Sequence, residues 1–131
     1  MSKARPHREV TDAELAILEV LWRSSELTIR DLTDRLYPQG GTSAYATVQK
    51  LLERLEKKGC VARRRETSAH RFSASVEREQ LIDHSLREVA EKLCGGSMTP
   101  LLTQLVRARG LSPAERDELQ ALIDRFDRKT P

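Results

Sequence analysis

The 131-residue sequence predicts a mostly α-helical protein with one small β-hairpin. Three observations lead there. Apolar residues recur at helical spacing in six segments, each bounded by capping residues, glycine or proline. Residues 60–73 instead read as two short strands around a small polar turn. Between these patterns lies SAYATVQKLLERLEKKG, Ser43 to Gly59, the best helix in the chain and one with two distinct faces.

Taken in order, residues 1–10 read as a flexible basic arm with Lys3, Arg5, His7 and Arg8. Such an arm either frays or reaches a phosphate or the minor groove. Thr11-Asp12-Ala13-Glu14 is a capping box that opens a helix running to about Arg23, with Leu15, Ile17, Leu18, Leu21 and Trp22 on its buried side. The single tryptophan is expected as a core anchor. Thr28 caps a shorter helix, Ile29 to Leu36, with Ile29, Leu32 and Leu36 inward, and Tyr37-Pro38-Gln39-Gly40-Gly41 breaks it.

Ser43 is the expected N-cap of the next helix, 43–58, and Gly59 its stop. Tyr45, Val48, Leu51, Leu52 and Leu55 form an apolar stripe that must face a core. Opposite them lie Ser43, Ala46, Thr47, Lys50, Arg54 and Lys57, with Gln49 and Glu53 on the flank: a cationic face that begins with small residues. The hairpin follows, from Cys60 through Arg63-Arg64-Arg65 to His70-Arg71-Phe72-Ser73. Between Ser43 and Ala74 eight basic residues stand against three acidic ones. Helix, short helix, turn, long amphipathic helix and basic hairpin is the order of a winged helix-turn-helix, in which the long helix enters the major groove and the hairpin reaches adjacent phosphates.

Past the hairpin, Glu77 to Leu93 is helical in period. Cys94-Gly95-Gly96-Ser97-Met98 interrupts it, Thr99-Pro100 opens a helix that stops at Gly110, and Ser112-Pro113-Ala114-Glu115 caps the last one. The leucines of these helices exceed what they can bury among themselves. Leu81, Leu86, Leu93, Leu101, Leu102, Leu105, Leu119, Leu122 and Phe126 are therefore the expected surface of a symmetric homodimer. The resulting division is 1–10 arm, 11–75 winged helix and 76–131 helical dimerisation region.

Charge follows the same division. Residues 1–75 carry 14 basic and 10 acidic side chains and residues 76–131 carry 9 and 10, so the excess sits with the hairpin half. Two cysteines and three histidines at scattered positions give neither a disulfide framework nor metal-ligand spacing, and no cofactor is expected. Cys60 reads as a small buried residue. There is no nucleophile, base and acid constellation and no phosphate loop, because Gly40-Gly41 and Gly95-Gly96 lack a following lysine. An enzyme is not expected. With neither a spanning apolar run nor a signal-type N-terminus, a cytoplasmic protein without membrane insertion is.

The chain resembles the penicillinase-repressor family of winged-helix transcription factors. The resemblance spans about residues 10–127 and is carried by Val10 to Trp22, by Thr28-Ile29-Arg30-Asp31-Leu32, by AYATVQKLLERLEKKG, and by Gly96-Ser97. It implies a dimeric repressor on an inverted-repeat operator, with Ser43, Tyr45, Ala46, Thr47, Gln49 and Lys50 as recognition residues and Arg63, Arg64, Arg65, His70 and Arg71 in the wing. Read as side-chain chemistry, Ala46 and the Thr47 methyl suit thymine methyls, Gln49 an adenine edge, and Lys50 guanine or phosphate, while Arg54, Lys57 and the wing arginines position the backbone. The resemblance also implies a regulatory protease. Its susceptible Asn-Phe bond falls near Gln104-Leu105, a different pair, and the C-terminal cysteine cluster of the copper-responsive branch is absent from this sequence. The rival reading of the same face is a winged-helix docking module for an acidic protein.

Overall fold

The computed structural model describes residues 9–129, and their side chains except those of Arg109 and 126–129. The basic arm up to Arg8 and the Phe126 side chain lie outside the described residues. Six helices and one hairpin follow one another: α1 (Asp12–Arg23), α2 (Ile29–Leu36), α3 (Thr42–Lys57), β1 (Val61–Arg65), β2 (His70–Ala74), α4 (Arg78–Leu93), α5 (Thr99–Arg109) and α6 (Pro113–Lys129). Two compact units divide the chain, Met1–Ser85 and Leu86–Pro131, and the division falls inside α4.

In the first unit, local chemistry sets the helix ends. The Thr11 hydroxyl accepts from the Glu14 N–H at 3.2 Å while the Glu14 carboxylate accepts from the Thr11 N–H at 3.0 Å. Thr28 and Asp31 repeat this reciprocal cap at the start of α2. Each arrangement satisfies two N–H groups that a helix start otherwise leaves open. The hairpin is antiparallel, with Val61 opposite Ala74, Arg63 opposite Phe72 and Arg65 opposite His70. Leu27 pairs with β2 through a single isolated bridge: its N–H donates to the Phe72 carbonyl at 3.0 Å and its carbonyl accepts from the Phe72 N–H at 2.8 Å.

The core of this unit lies where α1, α2, α3 and the base of the hairpin meet. Ile17, Leu18, Leu32, Val48, Leu55 and Phe72 are essentially solvent-free there. Full burial of such a side chain stabilises by roughly 1.5–3 kcal/mol. Cys60 belongs to the same cluster, and burial pushes its thiol pKa up, as suits an inert packing residue. Trp22 stands at the edge of the core, half-buried, donating from Nε1 to the Val76 carbonyl at 2.8 Å, with the Arg78 guanidinium 4.7 Å from its ring centre. Leu81 is partly buried and packs against this core, beside which the first turns of α4 run.

In the second unit, Ser112 and Glu115 form the expected reciprocal cap of α6. Thr99 is not the N-cap of α5. Met98 takes that position without a side-chain cap bond, and the Thr99 N–H donates to the Ser97 hydroxyl at 3.3 Å. Leu86, Leu93, Leu102, Leu105 and Leu122 are exposed, as are Val89, Val106 and Ile123. Leu101 and Leu119 are half-buried. Each of the three helices α4, α5 and α6 thus carries exposed large apolar side chains.

Candidate nucleic-acid interface

Helix α3 is held by both ends and one face. Before it, Gly41 is the N-cap residue, with φ of 77°, and Gly40 lies so close beneath Ala44 that a Cβ at Gly40 would collide with that of Ala44. Ser43 is therefore the second residue of the helix and does not cap it: the chain uses the backbone freedom of glycine where a side-chain cap was expected. At the other end the Cys60 N–H donates to the Leu55 carbonyl at 2.8 Å and the Gly59 N–H to the Glu56 carbonyl at 3.0 Å. With Gly59 at φ of 78°, this is a Schellman closure.

The inward stripe of α3 is Ala44, Val48, Leu51, Leu52 and Leu55. It is turned one residue from the stripe expected from the sequence. Ala44 is the buried member, and Tyr45 stands outside with 36% of its surface exposed and the Arg30 guanidinium 5.8 Å from its ring centre. The small side chain of Ala44 is what lets α3 approach the α2–α3 turn, a fit the tyrosine ring could not make.

The outward face is uncommitted. Ser43, Ala46, Thr47, Gln49, Lys50, Arg54 and Lys57 are all exposed, and among the described residues Lys50, Arg54 and Lys57 have no ion-pair partner. Thr47 donates its hydroxyl to the Ser43 carbonyl at 3.0 Å, which leaves its methyl as the group free for an apolar contact.

The wing differs. Arg63 grips Glu56 with two hydrogen bonds, 3.0 Å from Nε and 2.8 Å from a terminal nitrogen, and lies 5.0 Å from the Phe72 ring centre. Arg64 grips Glu26 in the same two-pronged way, at 3.1 and 2.6 Å, and also reaches Glu66 at 3.4 Å. Arg71 donates to Glu66 at 2.8 Å. The hydrogen bonds from these arginines hold Glu26, Glu56 and Glu66 below the usual carboxylate pKa and raise those of the three arginines. Arg65 is exposed and without an ion pair among the described residues. Opposite it, His70 is half-buried, with Nδ1 shielded and unpartnered. The carboxylates that organise the wing come from 38 residues before Arg64 and seven before Arg63, separations at which sequence reading offers no signal.

The family model described as penicillinase repressor matches residues 10–125. The chain belongs to the penicillinase repressor family. Relatives within reach of its sequence include the penicillinase repressor of Bacillus licheniformis, 22% identical over 116 residues that cover 88% of this chain and 90% of that protein. The methicillin resistance regulatory protein MecI of Mammaliicoccus sciuri is 21% identical over 89% of this chain and 94% of its own length. An uncharacterized 16.5 kDa protein of Latilactobacillus sakei is 27% identical over 88% of this chain and 78% of that protein. The solution structure of the DNA binding domain of the repressor BlaI is also similar, at 26% identity and a TM-score of 0.49, covering 59% of this chain and 90% of that one. The match to the penicillinase repressor family takes in all of α1 to α5 and most of α6, and so spans most of both compact units.

Among the described residues there is no helix long and apolar enough to cross a membrane and no cluster of metal-ligating side chains.

Proposed function

We propose that this chain is a dimeric transcriptional repressor that lays α3 in the major groove of an inverted-repeat operator and sets the β1–β2 wing against the flanking phosphates. One observation carries the reading: α3 is anchored on its inner face by buried residues while the opposite face, from Ser43 to Lys57, presents exposed side chains that the rest of the described chain leaves unengaged. A helix built this way presents its side chains at fixed positions, as groove reading needs. Ala46 and the Thr47 methyl meet thymine methyls, Gln49 reads adenine, and Lys50 reads guanine or a phosphate. Tyr45, out of the core, reaches the backbone from the helix border beside Arg30.

Two half-sites call for two copies. The exposed leucines of the last three helices support self-association, and a groove lined by Leu105, Leu111, Leu119 and Leu122 offers a partner's helix a seat. A regulatory protease acting near Gln104-Leu105 would meet the middle of α5 rather than an extended segment, so cleavage there requires the helix to open.

The test is a fluorescence-anisotropy titration of the full chain against the duplex upstream of its own gene and a shuffled duplex of equal length, at two salt concentrations. Preference for the upstream duplex by about a thousandfold or more is expected of an autoregulated repressor. Absence of binding to either duplex at low salt would overturn the reading and favour an acidic protein as the partner of the same face.

A further inference from the structure

We propose that Arg65 is the wing's phosphate contact, and that Arg63, Arg64 and Arg71 are positioning residues held by Glu26, Glu56 and Glu66 so that the hairpin presents one uncompensated cation. The proposal rests on the DNA-binding reading above and refines it.

Composition treats the four wing arginines alike; geometry separates them. Glu26, Arg64, Glu66 and Arg71 form a continuous chain of alternating charge, with contacts of 2.6, 3.4 and 2.8 Å between successive members. Glu26 lies in the turn between α1 and α2, so this chain ties the hairpin to that turn. Arg63 ties it separately to the last turn of α3 through Glu56, at 2.8 Å. Two-point attachment fixes where the wing stands relative to the helix whose face it must complement. Three carboxylates thereby neutralise three of the four guanidinium groups.

The remaining one is Arg65. It is the last residue of β1, exposed, next to the Glu66–Ala69 turn, and no carboxylate of the described residues pairs with it. A free guanidinium that meets a phosphate displaces condensed cations from DNA. One already matched to a carboxylate displaces few, and moving it to the phosphate would strand an anion against a polyanion. Exposed pairs contribute little to stability singly, so the use of this network lies in placement rather than in holding the fold together.

The experiment uses the full chain and a shuffled-sequence duplex, reading log Kobs against log salt concentration for the wild type, for Arg65→Gln, and for the double substitution Glu26→Gln with Arg64→Gln. Arg65→Gln is expected to make the slope shallower by about 0.9, one phosphate's share. The double substitution removes a balanced pair, and is expected to lower affinity while leaving slope and melting temperature as in the wild type. In nitrogen-edited NMR spectra, addition of duplex should shift the Arg65 side-chain Nε–H resonance and leave that of Arg64 in place. A shallower slope in the double variant, or an unchanged slope in Arg65→Gln, overturns the assignment while DNA binding itself stands. A wild type that binds no duplex overturns both.

Discussion

Lys58 Nζ lies 2.6 Å from Glu14 Oε1, joining the end of α3 to the first turn of α1. The carboxylate is fully buried and the ammonium only partly exposed; the same ammonium donates to the Glu9 carbonyl at 2.8 Å. Glu14 is thus cap and anchor at once, serving the Thr11 N–H and Lys58 through one oxygen while its other oxygen, Oε2, is buried without a partner. Removing the cation leaves a buried charge uncompensated. Lys58→Met is expected to destabilise the protein by about 2 kcal/mol, somewhat less than the ~3–5 kcal/mol of a wholly buried pair because Lys58 keeps some water. Urea unfolding followed by circular dichroism measures it; a midpoint equal to the wild type's would mean that the pair is passive.

Acid should act on the same contact. Burial pushes the Glu14 carboxyl up, but the hydrogen bonds from Lys58 and the Thr11 N–H outweigh it and hold the group below its ordinary value of 4.5. Between the folded and ordinary values the unfolded chain binds more protons. The resulting stability is therefore present above about pH 4.5 and lost as pH falls through the folded value. The lowered carboxyls of Glu26, Glu56 and Glu66 act in the same direction. Unfolding midpoints taken from neutral pH downwards should fall over this range, and Glu14→Gln should flatten the fall.

Gly40→Ala places a methyl against the Ala44 Cβ, with the Tyr37 carbonyl 3.2 Å away on another side. Relief requires the α2–α3 turn to shift. The expected loss is about 1–3 kcal/mol, the range for overpacking a tight site, together with weaker duplex binding as the start of α3 moves. An unfolding midpoint unchanged from wild type would show that the turn absorbs the methyl.

Thr47→Ala and Lys50→Ala remove groups from the outward face without touching the core. Each should reduce the preference for the upstream over the shuffled duplex by about 1–3 kcal/mol if it makes a good base contact. Equal loss on both duplexes would reassign the residue to the backbone.

Leu105 is half-exposed in the single chain, so Leu105→Asp leaves the fold of one copy intact and puts a charge where a second copy would pack. Sedimentation equilibrium should show monomer. A dimer of unchanged strength would move the interface away from α5.

Much of the fold was legible because its signals are local. A cap is a matter of two residues three apart: Thr11 with Glu14 and Ser112 with Glu115 close as spacing predicts, and Thr28, expected as a cap, closes with Asp31. The phase of α3 was harder. Tyr45 offers far more apolar area to bury than Ala44, yet the tight turn at Gly40 favours the small side chain. The reach of Glu14 into the core was hidden too, since a capping glutamate is ordinarily a surface residue. In the wing, the arginines were visible and their partners were not: Glu26 meets Arg64 only once the chain has folded back through α2 and α3.

The setting of Trp22 has a spectroscopic consequence. It is the chain's one tryptophan, bonded through its indole to Val76 and covered by Arg78 at the first turn of α4. Tryptophan emission from the unlabelled protein therefore comes from the root of that helix. A red shift on adding duplex or a candidate inducer would report that the indole has been uncovered there, in the native chain and in real time.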